Sequence, residues 1–161
     1  MRNLRTAIPD APNFYYYEFV KSETATRLNI PNTPIEHHWV AIEKLAKYVL
    51  QPVRNEFGPI RITSGYRSPE LCVKIGSSIH SNHAKGQAAD FEPYSKDIKM
   101  IDIISFIYDK LPYRELIAEY FPDGWIHCAY REDGNNKTLK LKDKNYNFEV
   151  VSIDMLKKLY N

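Results

Sequence analysis

Three side chains of this chain have the types and spacing to hold a metal ion: His83 and Asp90 in the segment Ser81-Asn82-His83-Ala84-Lys85-Gly86-Gln87-Ala88-Ala89-Asp90, and His127 in Trp125-Ile126-His127. Two imidazoles and one carboxylate are a donor set for a single catalytic Zn²⁺, because three protein ligands leave the fourth tetrahedral position open to water. His83 and Asp90 stand seven residues apart with a glycine between them. That spacing does not fit one helix face and predicts a loop folding back onto a strand. Gly86 lets the backbone turn there, since glycine reaches φ > 0 at little steric cost. The small Ala88 and Ala89 let the strand that carries Asp90 pass close to its neighbour. Trp125-Ile126-His127-Cys128-Ala129-Tyr130 reads as a second strand, and the period of two puts Trp125, His127 and Ala129 on one face.

These residues resemble a family. Ser-x-His-x-x-Gly-x-Ala-x-Asp followed by a late Trp-x-His is similar to the zinc D-Ala-D-Ala carboxypeptidase family, which includes VanX-type dipeptidases and phage endolysins that cut peptidoglycan stem peptides. Arg61-Ile62-Thr63-Ser64-Gly65-Tyr66-Arg67-Ser68-Pro69-Glu70 is similar to that family's strand, turn and arginine. The stretches from Thr24 to Pro34 and from Val49 to Arg54 look like the leader helices of its phage and prophage branch. The resemblance covers residues 14 to 131. It implies one Zn²⁺ held by His83, Asp90 and His127, and hydrolysis of an amide bond in a peptidoglycan stem peptide by a D,D-carboxypeptidase or endopeptidase. The bond itself stays open between D-Ala-D-Ala, L-Ala-D-Glu and a cross-bridge.

Hydrolysis needs a carboxylate to take the proton of the zinc-bound water and pass it to the leaving amine. In family members this acid commonly stands three residues before the last histidine, and here that position is Gly124. Two acids remain as catalytic candidates. Glu119, in Leu116-Ile117-Ala118-Glu119-Tyr120, is favoured, because a strand paired with that of His127 can turn it inward. Asp123 is the alternative and also fits a plain Pro-Asp-Gly turn. Arg67 is the third catalytic candidate, able to stabilise an oxyanion or to hold a substrate carboxylate through paired hydrogen bonds. Ser81, Tyr66 and His80 are assigned to the substrate pocket, although Ser81 is equally suited to capping its own loop. His37 and His38 are read as ordinary helix residues. The missing acid at position 124 keeps a second function in view, that of a non-catalytic, zinc-stabilised wall-binding or virion module. The same fold occurs in hedgehog signalling domains, so fold alone does not decide the chemistry.

The elements that must position these groups follow from periodicity and punctuation. A short helix is expected over about Glu18 to Leu28, then a proline-rich turn from Pro31 to Pro34. From Glu36 to Asn55, Val40, Ile42, Leu45, Ala46, Val49 and Leu50 recur at helical spacing and predict a stripe against the core. Phe57-Gly58-Pro59 ends that helix, and a strand over Ile60 to Thr63 follows. Ser68 and Pro69 mark another helix start. A helix over Ser95 to Lys110, a strand over Leu116 to Phe121, the Pro122-Asp123-Gly124 turn and the His127 strand come next. After Gly134, Lys137 to Leu141 and Asn147 to Val151 predict a hairpin, and Ser152 to Tyr160 a last helix. The order implies an α+β fold, a single domain over 1–161 with a small, mainly antiparallel sheet and flanking helices, its core at 14–131 and the hairpin and helix at 137–160.

Composition narrows the partners. A chain of 161 residues is long enough for a core without staples. Its 22 basic and 20 acidic side chains, a net +2, give no electrostatic case for nucleic acid. Cys72 and Cys128 are expected as buried free thiols. No apolar run approaches the roughly 20 residues of a membrane helix. Met1 to Pro9 lack the apolar core of a signal peptide. Export is therefore expected to come from elsewhere: a phage-encoded protein, in the host cytoplasm before holin-dependent release or mounted on a virion.

Overall fold

The computed structural model describes residues 2–132 and 137–160; Gly134 lies outside them. The chain opens with a two-stranded antiparallel ribbon of β1 (Ala7–Ile8) and β2 (Ala11–Tyr15). Where one helix is expected there are two, α1 (Tyr16–Val20) and α2 (Glu23–Arg27). The break is chemical: Ser22 is extended and its hydroxyl accepts the Ala25 N–H, so it acts as an N-cap.

The long helical segment runs through α3 (Glu36–Leu45), a π-helical turn at Ala46–Leu50 and α4 (Gln51–Phe57). Pro52 explains the widened turn. It has no N–H to give, and its ring would press on the carbonyl four residues back. Gln51 N–H instead reaches Ala46 O, five residues back, and the helix continues past the proline. Ile42, Leu45, Ala46, Val49 and Leu50 are buried as the periodicity predicts, but Val40 is exposed and Trp39 fills the stripe in its place.

There follow β3 (Ile60–Ser64), α5 (Pro69–Lys74) with Ser68 Oγ accepting the Leu71 N–H, a 3₁₀ turn at His83–Lys85, and β4 (Ala88–Pro93). The next helix, α6 (Met100–Lys110), begins five residues later than Ser95, because Ser95 Oγ accepts the Asp97 N–H in a local turn that competes with the helix. β5 (Glu115–Glu119) stops short of Phe121, with Tyr120 at φ 55° and a cis Phe121–Pro122 bond beyond it. β6 (Trp125–Ala129), β7 (Thr138–Lys142), β8 (Phe148–Val150) and α7 (Ile153–Tyr160) complete the order.

Strands β3 to β8 form one six-stranded sheet in the order β3-β4-β6-β5-β7-β8. Every pairing is antiparallel except β5 with β7. The sheet is mainly antiparallel and the fold α+β, as the sequence implies. Registers sort its residues onto two faces. Phe91, Ile126, Ala118 and Leu141 lie opposite one another across four strands and belong to, or pack on, the core with Leu45, Val49, Ile103, Ile104 and Ile107. Each fully buried aliphatic side chain there contributes about 1.5–3 kcal/mol. The other face carries Asp90, His127, Ile117 and Lys140 in the same way. Cys72 and Cys128 are both buried and free. No helix among the described residues is long and apolar enough to cross a membrane.

Candidate metal centre

Two of the three donors face each other across a ladder: Asp90 of β4 is the direct partner of His127 of β6. The third arrives from the loop before β4. Gly86 turns that loop with φ +69°, and a Cβ there would stand 2.5 Å from His38 O, so only glycine lets the loop lie against α3. Gln87 N–H closes it onto Asn82 O at 2.9 Å, and Ser81 Oγ accepts the Ala84 N–H at 3.2 Å. His83 is thereby carried over the sheet face on which Asp90 and His127 stand.

His83 Nε2, Asp90 Oδ1 and His127 Nδ1 converge, with separations of 3.1 Å between the two nitrogens, 2.8 Å from His127 to Asp90 and 3.2 Å from His83 to Asp90. Ligands about 2.0 Å from a tetrahedral Zn²⁺ lie about 3.3 Å apart. The triangle needs to open by only a few tenths of an ångström. Two further contacts fix which atoms face inward. His83 Nδ1 lies 2.7 Å from Gly65 O; a carbonyl only accepts, so Nδ1 carries the proton and Nε2 presents a lone pair. Asp90 Oδ2 accepts from Arg67 Nη2 at 2.9 Å, leaving Oδ1 as the free ligand oxygen. On the far side His127 Nε2 faces Glu115 Oε1 at 3.7 Å.

All three side chains are buried, and their charges are set by one another. Burial pushes the His83 imidazole below its ordinary value, against the pull of Asp90. Burial would raise the Asp90 carboxyl, but the charged His127 ring, which donates to its Oδ1, outweighs it and holds Asp90 well below the carboxylate range. For His127 burial works against the charged form, and the hydrogen bond to Asp90 and the nearby Glu115 carboxylate prevail, raising it to about 9. Glu115 is held down at about 2 by the neighbouring His127 ring, and Lys140 adds to this against the cost of burial. The set is pre-arranged for a cation: an ionised carboxylate and a neutral imidazole, with a second imidazole whose proton a metal would replace.

A family model described as Peptidase M15 matches residues 12–129. The chain belongs to that family. Membership indicates a peptidase, and the family's members are zinc peptidases. Among curated proteins none matches the chain. The matched span ends at the last residue of β6, so the hairpin β7–β8 and α7 stand outside it.

Around the triangle this M15 peptidase has a cavity of about 410 Å³, and the other residues singled out by sequence divide between it and elsewhere. Arg67, His80, Ser81 and Glu119 line it. Glu119 is buried, 7 % exposed, and its Oε2 accepts from Lys142 Nζ at 2.7 Å. Arg67 is turned largely to the protein, with Nη2 on Asp90 and both Nε and Nη2 on Ser64 Oγ. Ser81 caps its own turn, and His80 is exposed at the rim. Asp123 is exposed in the β5–β6 turn and lines a different depression, with Lys99 and Tyr160. Tyr66 is buried against the His38 ring, 5.4 Å between centroids, and opens onto a neighbouring depression beside Lys21 and Arg61.

Gly124 has a steric explanation. A Cβ there would lie 1.9 Å from Glu119 O, so a side chain at this position would require the turn to shift. Glu115 and Lys142, which the motif does not include, also line the cavity, as does Trp125 on the face of His127. The alternation Glu115-x-Ile117-x-Glu119 could have placed Glu115 on the face of Glu119. Lys142 left no local signal, because it reaches the site only through the parallel β5–β7 pairing.

Proposed function

We propose that the chain is a zinc-dependent peptidase that hydrolyses an amide bond in peptidoglycan stem peptides. One observation carries the reading: three donor atoms of the right chemistry converge within 3.2 Å beside a cavity that also holds a buried carboxylate. His83 Nε2, Asp90 Oδ1 and His127 Nδ1 are the ligands. A Zn²⁺ held by these three donors would supply Lewis acidity and a water acidic near pH 7. Glu119 would take a proton from the attacking water and return it to the leaving amine; its place in the cavity, against Asp123 outside it, supports the choice. Arg67 holds Asp90 to one-oxygen ligation and brings positive charge to the cavity wall where the oxyanion would form. His80 and Ser81 would meet the substrate at the rim of the cavity, whereas Tyr66 lies outside it.

The peptidoglycan substrate, D,D-carboxypeptidase or endopeptidase action, and a phage or prophage setting with holin-dependent or virion-borne delivery rest on the motif resemblance. The test is release of new amino groups from purified peptidoglycan by metal-free protein, with and without Zn²⁺, beside His127→Ala and Glu119→Gln. Zinc-dependent release lost in both variants is the expected result, and mass spectrometry of the products names the bond. Stoichiometric zinc binding with no release would replace the enzyme by the non-catalytic wall-binding module.

A further inference from the structure

We infer that Lys142, on the hairpin beyond the family-matched residues, is a positioning residue that holds the Glu119 carboxylate for proton transfer. The inference rests on the reading of Glu119 as the general base. Lys142 is the direct register partner of Glu119 in the parallel β5–β7 pairing, so both side chains rise from the same sheet face. Its Nζ donates to Glu119 Oε2 at 2.7 Å, with side-chain exposures of 16 % and 10 %. The ammonium also lies 5.3 Å from the Tyr120 ring centroid, 5.5 Å from that of Tyr146 and 5.3 Å from that of Phe148.

A lysine stem is ordinarily flexible, and a surface pair with a carboxylate contributes little. Here three rings limit where the ammonium can go while their π-faces favour the charge. The carboxylate is then oriented by a fixed cation rather than by mobile water. A part-buried pair of this kind adds little net stability but favours one arrangement. With Oε2 bound to Lys142, the proton from water passes to Oε1, and from there to the leaving nitrogen. Tyr146 and Phe148 come from the turn and second strand of the hairpin, so β7–β8 completes a catalytic group whose carboxylate the matched span supplies.

The test is a double-mutant cycle on the full, zinc-loaded chain, with kcat and KM measured on soluble muropeptides for wild type, Glu119→Gln, Lys142→Met and the double variant. Lys142→Met is expected to lower kcat about 10–100-fold with KM and zinc content unchanged, the range for losing a group that orients a reacting one. Lys142→Arg should recover part of that loss, and the double variant should be no slower than Glu119→Gln. A wild-type kcat in Lys142→Met overturns the inference, and so does an equal loss in both backgrounds or a rise confined to KM, which would make the lysine a substrate contact. An active Glu119→Gln removes the general base and the role of Lys142 with it; an inactive Glu119→Gln beside a fully active Lys142→Met removes the lysine alone. Should Lys142→Met fail to fold, Phe148→Leu opens one wall of the cage with the ion pair kept. Lowered kcat at constant KM then supports the inference, and wild-type kcat overturns it.

Discussion

His127 turns Nδ1 to Asp90 and Nε2 to Glu115, and that one ring decides how the site answers to pH. With its pKa raised to about 9 in the metal-free protein, the charged ring contributes stability that is fully present below its ordinary value near 6.5 and lost as pH rises through about 9. A metal at Nδ1 must displace this proton. Zinc uptake at pH 6, below the ionisation of a zinc-bound water, should release about one proton, measured by calorimetry in buffers of different ionisation enthalpy, and apparent affinity should rise at least about tenfold per pH unit until pH 9 is neared. Uptake with no proton release would mean that His127 is already neutral and that the two neighbouring carboxylates do not hold it charged. At this scale the sequence was most legible where residue type alone restricts chemistry, as for His83, Asp90 and His127. Glu115 was not, since its significance lies in a contact across two strands.

At the scale of elements the tightest constraint is the turn between β5 and β6, where Gly124 meets the Glu119 carbonyl. Gly124→Ala puts a methyl carbon where backbone already is, and the turn must move. We expect a loss of about 1–3 kcal/mol in denaturant unfolding, the usual cost of overpacking, together with reduced peptidase activity because Glu119 shifts with the turn. Unchanged stability would show that the turn yields freely and that glycine is not required there. Element boundaries were legible where a side chain punctuates them, as Ser68 and Pro69 do at α5. They were misread where a polar side chain took over a backbone N–H that periodicity alone assigned to a helix, at Ser22 and Ser95. The π turn before Pro52 belongs to the same group, because periodicity registers that a stripe is apolar but not that one turn of it is wider.

Across the whole molecule, one sheet divides the work: its apolar face is the core, and its other face brings β4, β6, β5 and β7 together around one cavity. The α+β class could be read from the run of elements, but the order β3-β4-β6-β5-β7-β8 could not, since it depends on pairings between segments far apart in the chain. The parallel β5–β7 pair is the one departure from the antiparallel pattern, and it is what brings the hairpin to the site. A metal at the triangle would tie the loop of His83 to the two central strands β4 and β6, a constraint the unfolded chain cannot share. An ion that binds only the folded state stabilises it by about 2.7 kcal/mol at a concentration 100 times Kd. For a domain of this size that is a rise in Tm of roughly 5–10 °C. Zinc should therefore raise Tm by that amount and a chelator reverse it, whereas His127→Ala should melt at one temperature with or without zinc. Lys142→Met should keep the full zinc-dependent shift, because the lysine acts on Glu119 and on none of the three ligands. A zinc effect on Tm that survived His127→Ala would place the stabilising ion elsewhere on the chain.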